Sequence, residues 1–185
     1  MKKINKTKYV ILGMLSAQEM CGYDISKAIQ NSIANFWSES NGQLYPTLSK
    51  LVREDLILCV SENATNSTSK TPKIYRITKK GLHELKKWLE SSIEGVPTFR
   101  NELLLKLFFG NQISKKACLQ HIVQRKQWAT EQYQKYEAKI KNLKISNKNN
   151  PSLPYWLLTL EYGLNARKAE INWCIKSIEL LEQAN

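Results

Sequence analysis

Residues 40–77 read SNGQLYPTLSKLVREDLILCVSENATNSTSKTPKIYRI, and this stretch decides the fold. Ser40 is a favourable N-cap residue, because its side-chain oxygen can accept a hydrogen bond from a backbone N–H of the first helical turn. Apolar residues then recur at helical spacing on one face, namely Leu44, Leu48, Leu51 and Val52. The opposite face is polar, so we predict a helix over 41–54 with one buried and one free face.

Two short runs of β-forming residues follow this helix, at 56–60 and 74–77. The loop between them is rich in Ser, Thr and Asn, and two lysines, Lys70 and Lys73, lie near its end. We therefore predict a β-hairpin, or wing, over 56–77. A helix followed by a basic wing suits entry into a DNA groove and contact with the flanking phosphates, so 41–54 is the predicted recognition helix.

Three further helices are predicted around this unit. An apolar run at 9–15 predicts the first, and helical spacing of isoleucines predicts the second over 22–33. The second helix and the helix 41–54 together make a helix-turn-helix candidate. A helix over 79–92, with an apolar stripe directed back at the first helices, follows the wing.

Gly and Pro residues at 94–97 mark a boundary in the middle of the chain. We predict a mostly α fold with two domains. The first, over 1–94, is a winged helix-turn-helix DNA-binding domain, and the second, over 95–185, is a helical dimerisation domain that is also a candidate for effector binding. The second domain begins with a short apolar helix at 99–109.

Two long helices, one on each side of a polar turn at 147–154, are predicted for the second domain from apolar residues seven positions apart. Helices of about 30 residues are roughly 45 Å long, which is more than the small first domain can cover. A second copy of the same pair is the simplest partner, so we predict a homodimer. The residues assigned to its interface are Ile122, Tyr136, Leu157, Leu164, Ile171 and Ile178.

The chain of 185 residues carries 28 Lys and Arg against 16 Asp and Glu, a net charge of +12. This balance favours a polyanionic partner such as nucleic acid or an anionic membrane. Each half, 1–90 and 91–185, has 14 basic and 8 acidic residues. Because the excess is not confined to the predicted DNA-binding half, a solvated basic surface explains part of it.

Several classes of protein are not indicated. The four cysteines are far apart and no histidines cluster, so we expect no metal, no cofactor and largely buried thiols. His83 and His121 are isolated and no phosphate-binding loop is present, so we expect no enzyme. No apolar leader follows the first residues and no segment is long enough to span a membrane, so we expect a cytoplasmic protein.

The motifs along the chain resemble those of PadR-family transcriptional regulators, in the longer subgroup with a virulence-activator-type helical C-terminal domain. The resemblance covers nearly the whole length. It is carried by Tyr9-x-Ile11-Leu12-Gly13-x-Leu15-Ser16, Gly22-Tyr23-Asp24-Ile25, Gly42-Gln43-Leu44-Tyr45-Pro46-x-Leu48-x-x-Leu51 and Tyr75-x-Ile77-Thr78-x-x-Gly81-x-x-x-Leu85. It implies a winged helix-turn-helix homodimer that binds a pseudo-palindromic operator, usually as a repressor. One departure is Asp55, where the family commonly has Gly; a left-handed helix end there suits Asp less well.

The predicted contacts with double-stranded DNA fall into three groups. The recognition helix offers amide, hydroxyl and ammonium groups from Asn41, Gln43, Thr47 and Lys50. The resemblance adds two motif tyrosines, Tyr23 and Tyr45, and the wing adds the phosphate-neutralising Lys70 and Lys73. The alternatives are an exposed polar face, core packing for the tyrosines, and a solvated loop for the wing lysines.

The second domain is rich in aromatic residues, and phenolic or planar effectors are known for some relatives of the family it resembles. A small aromatic effector bound among Trp128, Trp156 and Trp173 is therefore one hypothesis. The alternative is aromatic packing between helices without a ligand. For the whole chain, the alternative function is a protein-interaction module that uses the long helices without DNA binding.

Overall fold

The structure, a computed structural model, describes residues 5–60, 72–93 and 100–183. The chain divides into two compact units, residues 1–95 and 96–185, and each is described in turn. The domain boundary predicted between 94 and 95 lies outside the described residues. In the part of the chain that is described, no helix is long and apolar enough to cross a bilayer.

The first unit contains four helices and three short strands. In chain order these are α1 (Thr7–Ala17), β1 (Met20–Cys21), α2 (Gly22–Ser32), α3 (Asn41–Arg53), β2 (Ile57–Cys59), β3 (Ile74–Ile77) and α4 (Lys79–Glu90). The prediction of a mostly α fold with a winged helix-turn-helix is confirmed. Helix α3 corresponds to the predicted recognition helix. The predicted hairpin loop at 61–71 lies outside the described residues.

The sheet has the strand order β1-β3-β2, with both pairs antiparallel. Strand β1 was not predicted from the sequence. It contributes only two pairs to β3, Met20 with Tyr75 and Cys21 with Ile74. Through these pairs the start of α2 is tied to the wing, so the helix-turn-helix and the hairpin form one body.

The core of the first unit is the apolar face that the helical spacing predicted. The largest fully buried side chains come from α1, α2, α3 and β2, namely Ile11, Leu12, Ile25, Leu44, Leu48, Leu51 and Ile57. Helix α4 closes this core with Leu85, and its Trp88 stacks on Tyr9 of α1 at a centroid distance of 4.3 Å. Burial of each such side chain contributes about 1.5–3 kcal/mol, which makes this cluster the main stabilising term.

The recognition helix ends in a Schellman motif. The N–H of Asp55 donates to the Val52 carbonyl at 3.1 Å, and the N–H of Leu56 donates to the Leu51 carbonyl at 3.0 Å. Asp55 has a positive φ of 55°, the left-handed conformation that usually favours Gly. Asp and Asn tolerate this conformation better than bulky residues do, so the departure from the family's Gly leaves the helix end intact.

Helix α4 begins directly against the end of this motif. Thr78 is its N-cap and accepts a hydrogen bond from the N–H of Gly81 at 3.0 Å. The Thr78 backbone N–H and hydroxyl both donate to the Leu56 carbonyl, at 3.1 and 3.2 Å. A Cβ on Gly81 would overlap that carbonyl oxygen. The Thr-x-x-Gly motif therefore encodes a close approach between α4 and the chain that follows α3.

We predict that Gly81→Ala lowers the free energy of unfolding by about 1–3 kcal/mol, because the added methyl group meets backbone that cannot move aside. The matched control is Gly13→Ala in α1, where a Cβ meets nothing within 4 Å. That change should be neutral or stabilising by up to about 1 kcal/mol. Urea denaturation of both variants measures the difference, and equal stabilities would contradict the close packing.

The second unit is entirely helical over the residues described. It contains α5 (Glu102–Phe108), a short 3-10 turn (Gly110–Gln112), α6 (Lys115–Ser146) and α7 (Leu153–Gln183). Helices of 32 and 31 residues are about 48 and 46 Å long. Ser114 caps α6, accepting a hydrogen bond from the N–H of Ala117 at 3.2 Å.

Helices α6 and α7 pack against each other in an antiparallel hairpin. Ile122 and Ala129 of α6 and Cys174 of α7 are buried between them. Near the turn, the ring of Tyr136 lies on Gly163, where a Cβ would overlap the ring. One series of apolar residues predicted from the seven-residue spacing therefore forms the seam within the chain.

This packing corrects part of the predicted dimer interface. Ile122 is 1% exposed and is already buried within one chain, and Tyr136 is committed to Gly163, so neither is available to a second copy. The remaining four predicted residues are half-buried in one chain, namely Leu157, Leu164, Ile171 and Ile178. The spacing identified an apolar stripe correctly, but it did not show which partner covers that stripe.

Candidate nucleic-acid interface

The starts of α2 and α3 lie side by side in the first unit. Gly22, the first residue of α2, contacts the ring of Tyr45, and a side chain in its place would meet that ring. The hydroxyl of Ser26 donates to Oδ1 of Asn41 at 3.3 Å, which links α2 to the first turn of α3. One continuous surface is thereby formed by the first turns of the two helices.

Five of the predicted contact residues are exposed on α2 and α3. Tyr23 is 67% exposed and Tyr45 is 49% exposed, which excludes full core packing for either ring. Asn41 and Gln43 are exposed in the first turn of α3, and Lys50 is exposed in its last turn. The ammonium group of Lys50 lies 3.7 Å from the Glu54 carboxylate, an exposed pair that contributes little to stability and leaves the lysine able to reach an anion.

The prediction for Thr47 is corrected. Its side chain is 5% exposed, and its hydroxyl donates to the backbone carbonyl of Gln43 at 2.7 Å. The same hydroxyl accepts a hydrogen bond from the Asn5 side chain at 3.5 Å. Thr47 therefore anchors α3 to the start of α1 and does not present its hydroxyl to a ligand. Helical spacing alone assigned Thr47 to the polar face, whereas its side chain is buried.

Both amide side chains at the start of α3 are held by serine hydroxyls. Ser26 binds Oδ1 of Asn41, and the Ser40 hydroxyl donates to Oε1 of Gln43 at 3.4 Å. Ser40 makes no side-chain cap hydrogen bond to the backbone, although its position is that of the N-cap. The sequence predicted a cap at Ser40, and the structure gives its hydroxyl a different partner.

The connection between α2 and α3 is fixed by a carboxylate that sequence reasoning did not single out. The Trp37 indole donates to Oε1 of Glu39 at 2.6 Å, and the Thr7 hydroxyl donates to Oε2 at 2.9 Å. Glu39 directly precedes the N-cap of α3. It therefore ties the entry of the recognition helix to the first turn of α1, over a separation of 32 residues that no local pattern reveals.

Only part of the wing can be located. Lys73 is exposed at the start of β3, whereas Lys70 lies outside the described residues. Arg76 forms an ion pair with Glu19 at 2.5 Å, so its charge is already matched within the unit. Burial raises the pKa of Tyr75, and the neighbouring Cys59 and Tyr45 act in the same direction. Its phenol is therefore uncharged at neutral pH.

The three tryptophans proposed for an effector pocket do not meet within one chain. Trp128 packs under two guanidinium groups, those of Arg125 at 4.2 Å and Arg167 at 5.0 Å from its ring centroid. Trp156 and Trp173 are 17 residues apart on α7, which corresponds to about 26 Å along the helix. A pocket lined by all three from one chain is therefore not formed.

Trp128 does line a shallow pocket of about 330 Å³ in the second unit. The lining residues are Glu102, Leu103, Lys106, His121, Gln124, Arg125 and Trp128. Lys106 donates to the Glu102 carboxylate at 2.7 Å, and this hydrogen bond lowers the pKa of Glu102. The pocket thus combines an aromatic wall with two cationic side chains, Lys106 and Arg125, each of which is paired with a glutamate.

Arg125 and Arg167 share one carboxylate beside this pocket. Glu170 accepts from Nε of Arg125 at 2.5 Å and from a terminal guanidinium nitrogen of Arg167 at 2.6 Å. Arg167, which interrupts the apolar spacing of α7, is explained by this pairing. Among the residues that the structure describes, no group of three His, Cys, Asp or Glu side chains is arranged to hold a metal ion.

Family models match both halves of the chain. The model of the transcriptional regulator PadR-like family matches residues 11–87, and the model of the virulence activator alpha C-terminal region matches residues 99–182. The chain is 27% identical over 187 residues to the negative transcriptional regulator PadR of Bacillus subtilis, and the match covers 95% of this chain and 97% of that protein.

Solved structures of similar proteins have the same fold. Bacillus subtilis PadR in complex with operator DNA gives a TM-score of 0.70 at 28% identity, over 94% of this chain and 98% of that one. Its complex with p-coumaric acid gives 0.68 at 28% identity, over 95% and 98%. The virulence activator AphA of Vibrio cholerae gives 0.74 at 26% identity, over 95% and 98%. The chain therefore belongs to the PadR-like family of transcriptional regulators and carries the virulence-activator-type C-terminal domain.

Proposed function

We propose that this protein is a repressor that binds a pseudo-palindromic operator as a homodimer. The observation that carries the proposal is the exposed surface at the starts of α2 and α3. There Tyr23, Asn41, Gln43 and Tyr45 are exposed, and Lys50 is exposed further along, in the last turn of α3. The operator complex of Bacillus subtilis PadR supports DNA as the partner, and that protein's description as a negative regulator supports repression.

In this proposal the residues of the first unit bind DNA and those of the second unit hold two copies together. The two recognition helices of a dimer enter successive major grooves about 34 Å apart, or a multiple of that distance. Lys73 in the wing neutralises a flanking phosphate, and each such contact steepens the dependence of log affinity on log salt by about one. The net charge of +12 assists the encounter with DNA.

We predict that Lys50→Glu weakens binding to the protein's own promoter DNA by at least roughly tenfold, because each copy in a dimer loses a cation and gains an anion facing DNA. The control is Lys86→Glu on α4. Lys86 forms the same kind of exposed pair with the glutamate four residues later, at 3.9 Å, as Lys50 does at 3.7 Å. Anisotropy titrations at several salt concentrations, beside a scrambled duplex, measure both variants.

Binding by Lys50→Glu equal to that of the unchanged protein would contradict the proposed surface. It would favour the alternative of a protein-interaction module that uses its long helices without DNA. Wild-type binding that is equally weak on the promoter and the scrambled duplex, and that vanishes with salt, would contradict operator recognition itself.

A face of α7 that does not touch α6 supports dimerisation through the second unit. Large apolar side chains share this side of the helix at spacings of 3, 4, 11 and 7 residues, and all are exposed in one chain: Tyr155, Leu158, Tyr162, Trp173 and Leu180. A helix with a second apolar stripe of this length usually buries it against another molecule. We assign the stripe to a second copy, related by a twofold axis that makes the contact isologous.

We predict that Tyr162→Glu shifts the protein from dimer to monomer, because a charge is buried at the centre of the apolar stripe. Tyr162 is 78% exposed in one chain, so the change should not unfold the hairpin. Asn172→Glu on the polar face of α7 is the control. Light scattering after size-exclusion chromatography gives the mass of each, and a dimeric Tyr162→Glu variant would place the interface elsewhere.

We also propose that a small aromatic acid regulates DNA binding. Support comes from the p-coumaric acid complex of Bacillus subtilis PadR and from the pocket beside Trp128. The guanidinium of Arg125 binds Glu170 through Nε and has further N–H donors that suit a ligand carboxylate, and an aromatic ring packs well against an indole such as that of Trp128.

We predict that p-coumaric acid quenches the intrinsic fluorescence of the wild-type protein and lowers its affinity for promoter DNA. Trp128→Phe should lose most of the quenching, whereas Trp156→Phe, which alters a tryptophan outside the pocket, should keep it. A wild-type protein that shows neither quenching nor a change in DNA binding would contradict regulation by this acid. Equal quenching in both variants would contradict the site.

A further inference from the structure

The two amide side chains on the exposed face of the recognition helix are both held at their oxygen atoms. Oδ1 of Asn41 accepts from Ser26 at 3.3 Å, and Oε1 of Gln43 accepts from Ser40 at 3.4 Å. The serines come from different places in the chain. Ser26 lies on α2, 15 positions before Asn41, and Ser40 is the N-cap of α3 itself.

An amide side chain has two different ends, a carbonyl oxygen that only accepts and an NH₂ group that only donates. The two ends diverge from the amide carbon, and one serine occupies only one of the two lone pairs of the oxygen. A serine bound to the oxygen still fixes the orientation of the amide, and the NH₂ group is then the end that is turned away from the serine. Asn41 and Gln43 therefore direct hydrogen-bond donors away from their serines, and Lys50, in the last turn of α3, offers only donors as well.

We propose that Ser26 and Ser40 set the base preference of the recognition helix by holding the amides of Asn41 and Gln43 in the orientation that turns their NH₂ groups towards DNA. This inference rests on the proposed operator binding. In the major groove guanine presents two acceptors, N7 and O6, whereas adenine presents one acceptor and one donor. An amide that is free to turn pairs with adenine through both its ends. An amide whose oxygen is held towards a serine presents its NH₂ group to guanine and does not place both ends against adenine.

Ser26 gives the sharper test of the two serines, because it lies on α2 and Ser26→Ala leaves every residue of α3, including its N-cap, in place. Ser32 is a matched control on the same helix. It is exposed, and its hydroxyl donates to the Ala28 carbonyl at 2.6 Å, so Ser32→Ala also removes one hydroxyl and one hydrogen bond. That carbonyl belongs to α2 and not to the recognition helix.

The experiment measures the affinity of full-length protein for duplexes from its own promoter, each with one guanine replaced by adenine in both half-sites. Asn41→Ala locates the base pair that Asn41 reads, as the position where the replacement no longer matters. At that position the wild-type protein should lose roughly 5- to 150-fold in affinity for each half-site replaced, the range that corresponds to about 1–3 kcal/mol per base contact. Ser26→Ala should bring the two affinities to within about twofold, and Ser32→Ala should behave like the wild type.

Three outcomes overturn the inference. The first is a Ser26→Ala variant that weakens binding to every duplex, including a scrambled one, by the same factor, since that is a structural effect. The second is a wild-type protein that prefers adenine where Asn41 or Gln43 reads. The third is a guanine preference that Ser26→Ala leaves unchanged. In all three outcomes the wild-type protein still binds the promoter selectively, so the proposed function is not contradicted. A wild-type protein that does not distinguish promoter from scrambled DNA would contradict both the inference and the proposed function.

Discussion

The backbone around Leu56 is the junction on which the first unit depends. Its N–H closes the Schellman motif at the end of α3, and its carbonyl accepts hydrogen bonds from the backbone and hydroxyl of Thr78. Gly81 leaves α4 room to approach that carbonyl. The end of α3, the wing and the start of α4 are thus joined within a few residues. Backbone hydrogen bonds fix the C-terminal end of α3 against them, and surface substitutions do not remove these bonds.

The sequence predicted most of the fold, because the signals that specify these helices are local. Helical spacing, the caps at Thr78 and Ser114, and the polar turn before α7 each act over a few residues. What could not be predicted acts over long separations. Strand β1 has only two residues and exists through pairing with β3. The same holds for the ties from Glu39 to α1, which carry no periodic signal.

At the candidate site, the sequence indicated which residues are on or near the recognition helix, but it did not indicate which of their side chains are buried. Spacing assigns a residue to a helical face, but burial depends on what packs beside that face. Thr47 lies at the edge between the two faces and is covered by the start of α1. In the second unit, the seven-residue spacing is compatible both with packing between α6 and α7 of one chain and with an interface between two copies. Only the packing distinguishes them, and it shows that Ile122 is already buried within one chain.

The contact between Tyr136 and Gly163 also fixes the register of the helical hairpin. Apolar residues repeated every seven positions still match after one helix slides by a heptad, so such stripes alone leave the alignment ambiguous. A slide of seven residues along α7 would bring Trp156 or Glu170 beneath the Tyr136 ring in place of glycine. Neither leaves space for the ring. The absence of a side chain at Gly163 thus permits one alignment of α6 and α7, and this alignment also fixes the distance between the ends of the two helices.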